Sequence, residues 1–426
     1  MSVRPPLSIL SLAALLAGCA GGAVPALPPA LLAPFSSSST ASPPAPPEPP
    51  RDLPGRFEVV GRGAVDWTRT TGLAVFRGAD GRDYAYTGTY GACEGCVGNR
   101  MYAWDVTDPA RPVLTDSVVV DAQRVNDVAV NAAGTVAVIT RDGAVSRRNG
   151  IVVLDLADPA HPEVAADYWE TLVGGAHHVW IEGSHAYVVD RGAAELAVLD
   201  LADPAAPREV GRWGIPYRPE RFLQDVTVRD GLAYLAYWDD GVVVLDVGAG
   251  LKEASPSRPR LVSRLRYRTE WRGERYGRTG YAYAHVNRAG RRYVFVADHI
   301  LPRGADLSRP VDTGGYLHVL DLSTPETPVE VATYQVPGSG VRRVWAGGDT
   351  LYVAAYGGGV RALDVSGELR GSLRGREVAA LPTADERAMV RGFPFAWDVV
   401  THNGLVFATD FNSGLWIARL EEGGGG

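Results

Sequence analysis

Cysteine is scarce in this 426-residue chain, with only three: Cys19, Cys93 and Cys96. There is no second cysteine pair to complete a four-cysteine metal site, and no histidine follows Cys96, so Cys93-Glu94-Gly95-Cys96 is not a c-type haem attachment. A basic surplus is lacking as well. The formal charge is −7, which speaks against nucleic acid as the main partner, because phosphate neutralisation needs a basic face. The apolar stretch from Leu7 to Leu16 is too short to span a bilayer stably. Compact catalytic signatures are missing: there is no HExxH, no recognisable Ser-His-Asp set, and Gly357-Gly358-Gly359 lacks the lysine of a phosphate-binding loop. What is present, 46% hydrophobic and 21% charged residues with 50 Gly and 30 Pro, is the composition of a turn-rich, all-β globular protein.

The N-terminus places Arg4 before the apolar stretch and small residues after it, the layout of a secretory signal. Leu16-Ala17-Gly18-Cys19 resembles the lipobox of bacterial lipoproteins, which implies cleavage before Cys19 and a lipid on that cysteine. The expected segments are a signal over 1–18, a Pro/Ala/Ser-rich tether over 19–55, a folded domain over 56–421 and a Gly tail over 422–426. A tether of ~35 residues reaches at most ~100 Å. Ala20 stands where an aspartate would signal inner-membrane retention, so the expected location is the bacterial cell envelope, at the outer membrane. In that oxidising setting Cys93 and Cys96 read as a small disulfide stiffening their loop, with a redox-active pair as the alternative.

A phrase recurs along the rest of the chain: MYAWDV at Met101–Val106, IVVLDL at Ile151–Leu156, LAVLDL at Leu196–Leu201, VVVLDV at Val242–Val247, LHVLDL at Leu317–Leu322 and VRALDV at Val360–Val365. Each unit of roughly 45 residues reads as three clear strands and a weaker fourth, the content of one β-propeller blade. First strands begin near Leu73, Asp127, His178, Asp225, His285, Arg343 and Asp398, which predicts an all-β, seven-bladed β-propeller. The last unit stops after its third strand, Gly414–Leu420, while Arg56–Arg62 precedes the first unit as an orphan fourth strand. Pairing these two ends closes the ring and removes the edges an open sheet would expose. The aspartates ending the phrase, Asp105, Asp155, Asp200, Asp246, Asp321 and Asp364, read as scaffold, since Asp after a strand accepts bonds from nearby backbone N–H groups.

The phrase followed by Asp-Pro-x-x-Pro, at Asp108–Pro112, Asp158–Pro162 and Asp203–Pro207 and with Thr at Thr324–Pro328, closely resembles the LVIVD-repeat family. The resemblance implies a secreted or cell-surface propeller and no particular activity.

The long insertions fall on one face of such a ring: the loop after Tyr90, Asp142–Asn149, Trp213–Phe222, Arg264–Tyr283, His299–Gly314 and Arg374–Pro394. Binding work concentrates in loops held by a rigid scaffold. The residues opening the innermost strands, Gly72, Asp127, His178, Asp225, His285, Arg343 and Asp398, are expected around the channel mouth. Asp127, His178, Asp225, His285 and Asp398 have the chemistry to ligate a divalent metal; the alternative is a wet channel whose charges pair, Arg343 with Asp398 for example. The insertion Arg264–Arg278 offers Arg266, Tyr267, Trp271 and Tyr276 as a partner surface. The expected function is a lipid-anchored binding or scaffold module, a single propeller holding a protein or glycan partner by its loop-rich face. The alternative is a metal-assisted exported hydrolase or lyase on the Asp/His ring.

Overall fold

The computed structural model describes residues 52–91, 96–172, 174–216, 218–219, 221–267, 269–271, 274–276, 278–302 and 304–422. All lie in the second of two compact units, Pro44–Gly426; Cys19, the signal and most of the tether fall outside them. Within this unit seven antiparallel sheets, each with four blade strands, form the seven blades of a β-propeller. Their innermost strands are Thr70–Arg77, Val128–Val130, Ala176–Glu182, Leu223–Arg229, Thr279–Val286, Arg343–Gly347 and Ala396–His402. Blade 3 shows the plan, with Ala176–Glu182, His185–Asp190, Glu195–Asp200 and Arg208–Trp213 in sequential antiparallel order.

The ring closes as the sequence predicts. Strand Gly55–Gly63 is the outermost strand of blade 7 and pairs with Gly414–Glu422, Phe57 opposite Leu420 and Gly63 opposite Leu415.

The recurrent aspartates act locally. Oδ1 of Asp105, Asp155, Asp200, Asp246, Asp321 and Asp364 each accepts the backbone N–H two residues on, at 2.7–2.9 Å. Asp108, Asp158 and Asp203 do the same in the Asp-Pro turns, at 3.0–3.2 Å. These are Asx turns, which stop a strand and begin its reversal.

A second regularity was not read from the sequence. In every blade the outer strand carries a bulge, skipping Val60, Thr115, Ala165, Val210, Val262, Val331 or Val378. A bulge re-aims its side chain, and six of these seven, all but Thr115, pack against the apolar clusters between blades. The residue after the bulge then approaches the next blade's turn. At Gly61 a Cβ would lie 2.0 Å from the Pro109 carbonyl oxygen, so only glycine fits there.

Blade 6 departs from the expected outline. Residues Glu377–Leu381 are its fourth strand, and Gly371–Ser372 runs parallel onto the outer strand of blade 5, Val329–Tyr334. Part of the supposed Arg374–Pro394 insertion is therefore sheet, and the connection to blade 7 spans residues 382–395. The chain had room for this because a longer third-to-fourth connection, starting Ser366-Gly367-Glu368, replaces the Asp-Pro turn.

Candidate binding site at the channel mouth

Most of the innermost strands begin with a register shift, between Thr70 and Leu73, Ala176 and Val179, Leu223 and Asp225, Thr279 and Tyr281, and Ala396 and Asp398. Each irregularity turns a side chain toward the axis, and there one residue crosses it. The Arg343 guanidinium of blade 6 lies 2.7 Å from Asp398 Oδ2 in blade 7, 3.2 Å from Asp127 Oδ2 in blade 2, 3.2 Å from Asp225 Oδ2 in blade 4 and 3.0 Å from His178 Nδ1 in blade 3. Its charge also sits 5.0 Å from the Tyr281 ring centroid of blade 5. Asp127, His178 and Asp225 are 1% exposed and Asp398 2%, so these charges are compensated by one another and not by water.

Both ring nitrogens of His178 are engaged: Nδ1 faces Arg343 Nη2 and Asp127 Oδ2, each at 3.0 Å, and Nε2 faces Arg342 Nη2 at 3.0 Å, Asn126 Nδ2 at 3.2 Å and Asp225 Oδ2 at 3.4 Å. Burial, with the charges of Arg343 and Arg342, holds its pKa well below the usual histidine range, so the imidazole is neutral. Burial pushes Asp225 up to about 7 despite Arg343, with Asp127 adding to the rise. Burial raises Asp398 as well. Burial opposes the charge of Arg343 too, but Asp127, Asp398 and Asp225 hold it well above its ordinary value.

Of the five residues expected to form a metal ring, Asp127, His178, Asp225 and Asp398 converge and His285 does not. His285 lies at the other end of its strand, opposite Tyr293, and its Nε2 donates to the Gly348 carbonyl 2.7 Å away in a blade 6 hairpin turn. The blade 5 position on the axis belongs to Tyr281. The signal was available: in blades with short hairpins the ring residue stands four places before the last paired residue, as Asp225 before Arg229 and Asp398 before His402. Blade 5 has a longer hairpin connection, 287–291, between Val286 and Arg292, like 78–82 in blade 1, and in both the ring residue stands five places before the last paired one, Tyr281 before Val286 and Gly72 before Arg77. Gly72 is the seventh member, where a Cβ would lie 2.6 Å from Asp127 Oδ1. Among the described residues no group of three or more His, Cys, Asp or Glu is arranged to hold a metal ion.

Above this ring the loops build a cap. Val311, Tyr356, Phe395 and Phe411 form a buried cluster with Tyr90, Leu301, Leu307, Phe393 and Trp397 against it. The loop between the second and third strands of blade 5 thus reaches blades 6 and 7, and the Leu307 carbonyl accepts from Arg69 Nη1 of blade 1 at 3.0 Å. Arg342 stacks on Trp397, 4.6 Å from the ring centroid. The carboxylates ending the second strands are structural: Asp142 binds Arg124 and Arg191, Asp190 binds Arg212, and Asp410 accepts from Phe395, Asn412 and Ser413 backbone N–H groups.

The expected partner surface is only partly presented. Arg266 is exposed, its Nε donating to the Asp239 carbonyl at 3.0 Å. Tyr267 points inward: its hydroxyl donates to Asp298 Oδ1 at 2.9 Å, and its ring lies 4.2 Å from that of His318. An aromatic stem beside a carboxylate and an imidazole is more stable inside the seam than in solvent, so Tyr267 anchors this loop rather than offering it. The strands Thr269–Trp271 and Glu274–Tyr276 form a small hairpin; the side chains of Trp271 and Tyr276 lie outside the described residues. Cys96 is disulfide-bonded, and Cys93 lies outside the described residues.

The ring of four-stranded blades, closed by its two ends around a filled axis, defines a seven-bladed β-propeller. Solved structures agree on the fold: the Cps50 (Swd1) β-propeller domain of Myceliophteria thermophila (10% identity, 86% of this chain and 99% of that one, TM-score 0.51), a protein from Lactobacillus plantarum (15%, 77% and 89%, 0.54) and the periplasmic gluconolactonase PpgL of Pseudomonas aeruginosa (17%, 75% and 85%, 0.54). The LVIVD repeat matches at residues 173–214 and 221–267, which are blades 3 and 4. These two blades thus carry the LVIVD repeat, within a propeller of seven. Comparison with curated proteins gives no match.

Proposed function

We propose that the chain is an extracytoplasmic binding or scaffold module, tethered through a lipid on Cys19, that holds a protein or glycan partner with its loop-rich face. The observation carrying this reading is the guanidinium of Arg343 among Asp127, Asp225, Asp398 and His178. The groups with the chemistry for metal or acid–base catalysis are spent on one another, and what faces solvent on the elaborated side is loop. That side also exposes Trp67 (70%) and Val145 (92%), apolar groups of the kind binding faces carry. Among the described residues no helix is long and apolar enough to cross a membrane, and the lipid supplies the attachment. Against the alternative, a metal-assisted hydrolase or lyase, stands the arginine at the place where a cation would have to go.

The test compares the two faces. Cross-linking in the cell envelope is repeated with Val145→Asp and Arg266→Ala on the loop-rich face and with Asp203→Ala on the opposite face. Loss of the cross-linked partner with the first pair only is the expected result. Equal retention by all three variants refutes the assignment of the face, and stoichiometric metal in the purified protein, with activity lost to a chelator, would restore the enzyme reading.

A further inference from the structure

A cavity on the loop-rich face lies away from the axis. It is a cleft of 760 Å³ at the seam between blades 7 and 1, bounded by the connection 64–69, the 385–391 part of the blade 6-to-7 connection and the turn 412–414. Three features mark it as built rather than left over.

The first is Trp67. Its side chain is 70% exposed, and its backbone sits at φ 56°, the left-handed region. A bulky residue there costs of order 1 kcal/mol, and such strain clusters at functional sites. The turn is braced from outside: Val97 N–H, next to the disulfide-bonded Cys96, donates to the Trp67 carbonyl at 3.2 Å. The indole is thus held out in water by a fixed backbone.

The second is a pair of unpartnered polar atoms. Asn412 lines the cleft and is only 5% exposed; its Nδ2 donates to the Phe393 carbonyl at 3.2 Å, which fixes the amide's orientation, and Oδ1 has no partner. Arg62 stacks 3.8 Å over Trp416 and binds Asp385 Oδ2 at 2.5 Å through Nη2, leaving Nε–H without a partner. Both atoms are buried, an acceptor and a donor left over just beneath one wall, and they suit groups that reach in and can both give and take a hydrogen bond.

The third is charge. Arg62, Arg387 and Arg391 line the cleft together with Asp66, Asp385 and Glu386, so it is polar and balanced. A nucleotide or phosphate would meet three carboxylates, and a basic peptide three arginines.

We infer that this cleft binds a neutral saccharide: the C–H face of a sugar ring lies on Trp67, and its hydroxyls donate to Asn412 Oδ1 and accept from Arg62 Nε–H. The inference rests on the loop-rich face being the binding surface and names the ligand class for one part of it.

The test titrates the purified chain with the neutral tetrasaccharides of cellulose, starch, xylan and chitin, up to about 10 mM, reading tryptophan fluorescence and calorimetric heat. At least one is expected to bind saturably. Trp67→Ala is expected to weaken that binding about tenfold and Trp67→Phe much less, both with an unchanged melting temperature, since the side chain is exposed. No binding by any of the four, or equal binding by Trp67→Ala, overturns the inference. The same holds if a polypeptide is retained through Trp67 without any saccharide response. Loss of the saccharide site with the envelope cross-link intact leaves the binding module standing; loss of the cross-link dependence on the loop-rich face, with saccharide still bound, removes the module and leaves the site.

Discussion

Replacing Arg343 with methionine keeps most of the volume on the axis and removes the charge. Asp127, Asp225 and Asp398, each at most 2% exposed, then face one another with only the more distant charge of Arg342 to offset them. Breaking a buried ion pair costs about 3–5 kcal/mol. With an unfolding entropy of roughly 2 cal/mol/K per residue, a domain of about 370 residues loses about 5 °C of melting temperature for 4 kcal/mol. The deficit has a predictable pH dependence. Asp225 already has its pKa raised to about 7 by burial, and Asp398 is raised too. A carboxylate raised above its unfolded value of about 3.9 binds more protons folded than unfolded, so stability falls as pH climbs through that window. Without Arg343 these values rise further, so the loss at pH 8 exceeds that at pH 5. Scanning calorimetry at both pH values measures it. Adding Asp127→Asn, Asp225→Asn and Asp398→Asn to Arg343→Met should recover most of the loss, because a neutralised site has no charge left to compensate. A deficit below about 1 kcal/mol at pH 8, or one identical at pH 5, would refute the picture of an arginine neutralising buried carboxylates.

Three further outcomes follow from the same geometry. His318 is held between Asp298 (3.2 Å) and Glu330 (3.0 Å); although burial opposes its charge, these hydrogen bonds raise its pKa to about 9. Its contribution is complete below about pH 6.5 and lost as pH rises through 9, so His318→Gln should destabilise by about 3 kcal/mol at pH 6 and far less at pH 9.5 in denaturant titrations. Gly61→Val places a Cβ 2.0 Å from the Pro109 oxygen and should cost at least about 2 kcal/mol, whereas the same change at Gly367, with open space around it, should cost only its backbone strain. Asp200→Ala removes an Asx bond of 2.9 Å and a 3.1 Å ion pair with the exposed Arg208 and should cost about 1 kcal/mol with no effect on partner cross-linking; any loss of cross-linking would give this aspartate a role beyond the scaffold.

Most of the fold was legible because each blade must bury the same surface, so the apolar third strand, its closing aspartate and its turn recur at a fixed period. The complementary ends, Arg56–Arg62 and Gly414–Leu420, announced the closure for the same reason. Six of seven axis positions followed from equivalence alone. His285 did not, because the blade 5 hairpin is longer and a local likeness of sequence displaced the register by four residues. Tyr267 looked like an exposed hot spot in a loop rich in Arg and aromatics, and only the fold shows Asp298 and His318 waiting beneath it. The crossing of Arg343 to four other blades was half legible: a pairing with Asp398 could be anticipated, but side-chain reach across a closed ring depends on its diameter, which no strand pattern contains.

That crossing bears on where binding can occur. A buried cluster of this kind is weak evidence for stability, since well-packed apolar groups often serve as well. Its geometric effect is different: blades 2, 3, 4 and 7 all place a polar group against one guanidinium from blade 6, so the positions of these five blades at the axis are tied together. An axis fixed in this way has little freedom to open around a ligand, and the cap over Tyr356, Phe395 and Phe411 adds to the closure. Binding is then displaced outward, to seams where loops from adjacent blades meet without filling the space between them. The seam of blades 7 and 1 is the natural place for such a gap, because it is where the chain's two ends complete one blade and the entry to blade 1 has to turn past them. Trp67 lies in that turn, strained and exposed, where the scaffold has least need of it.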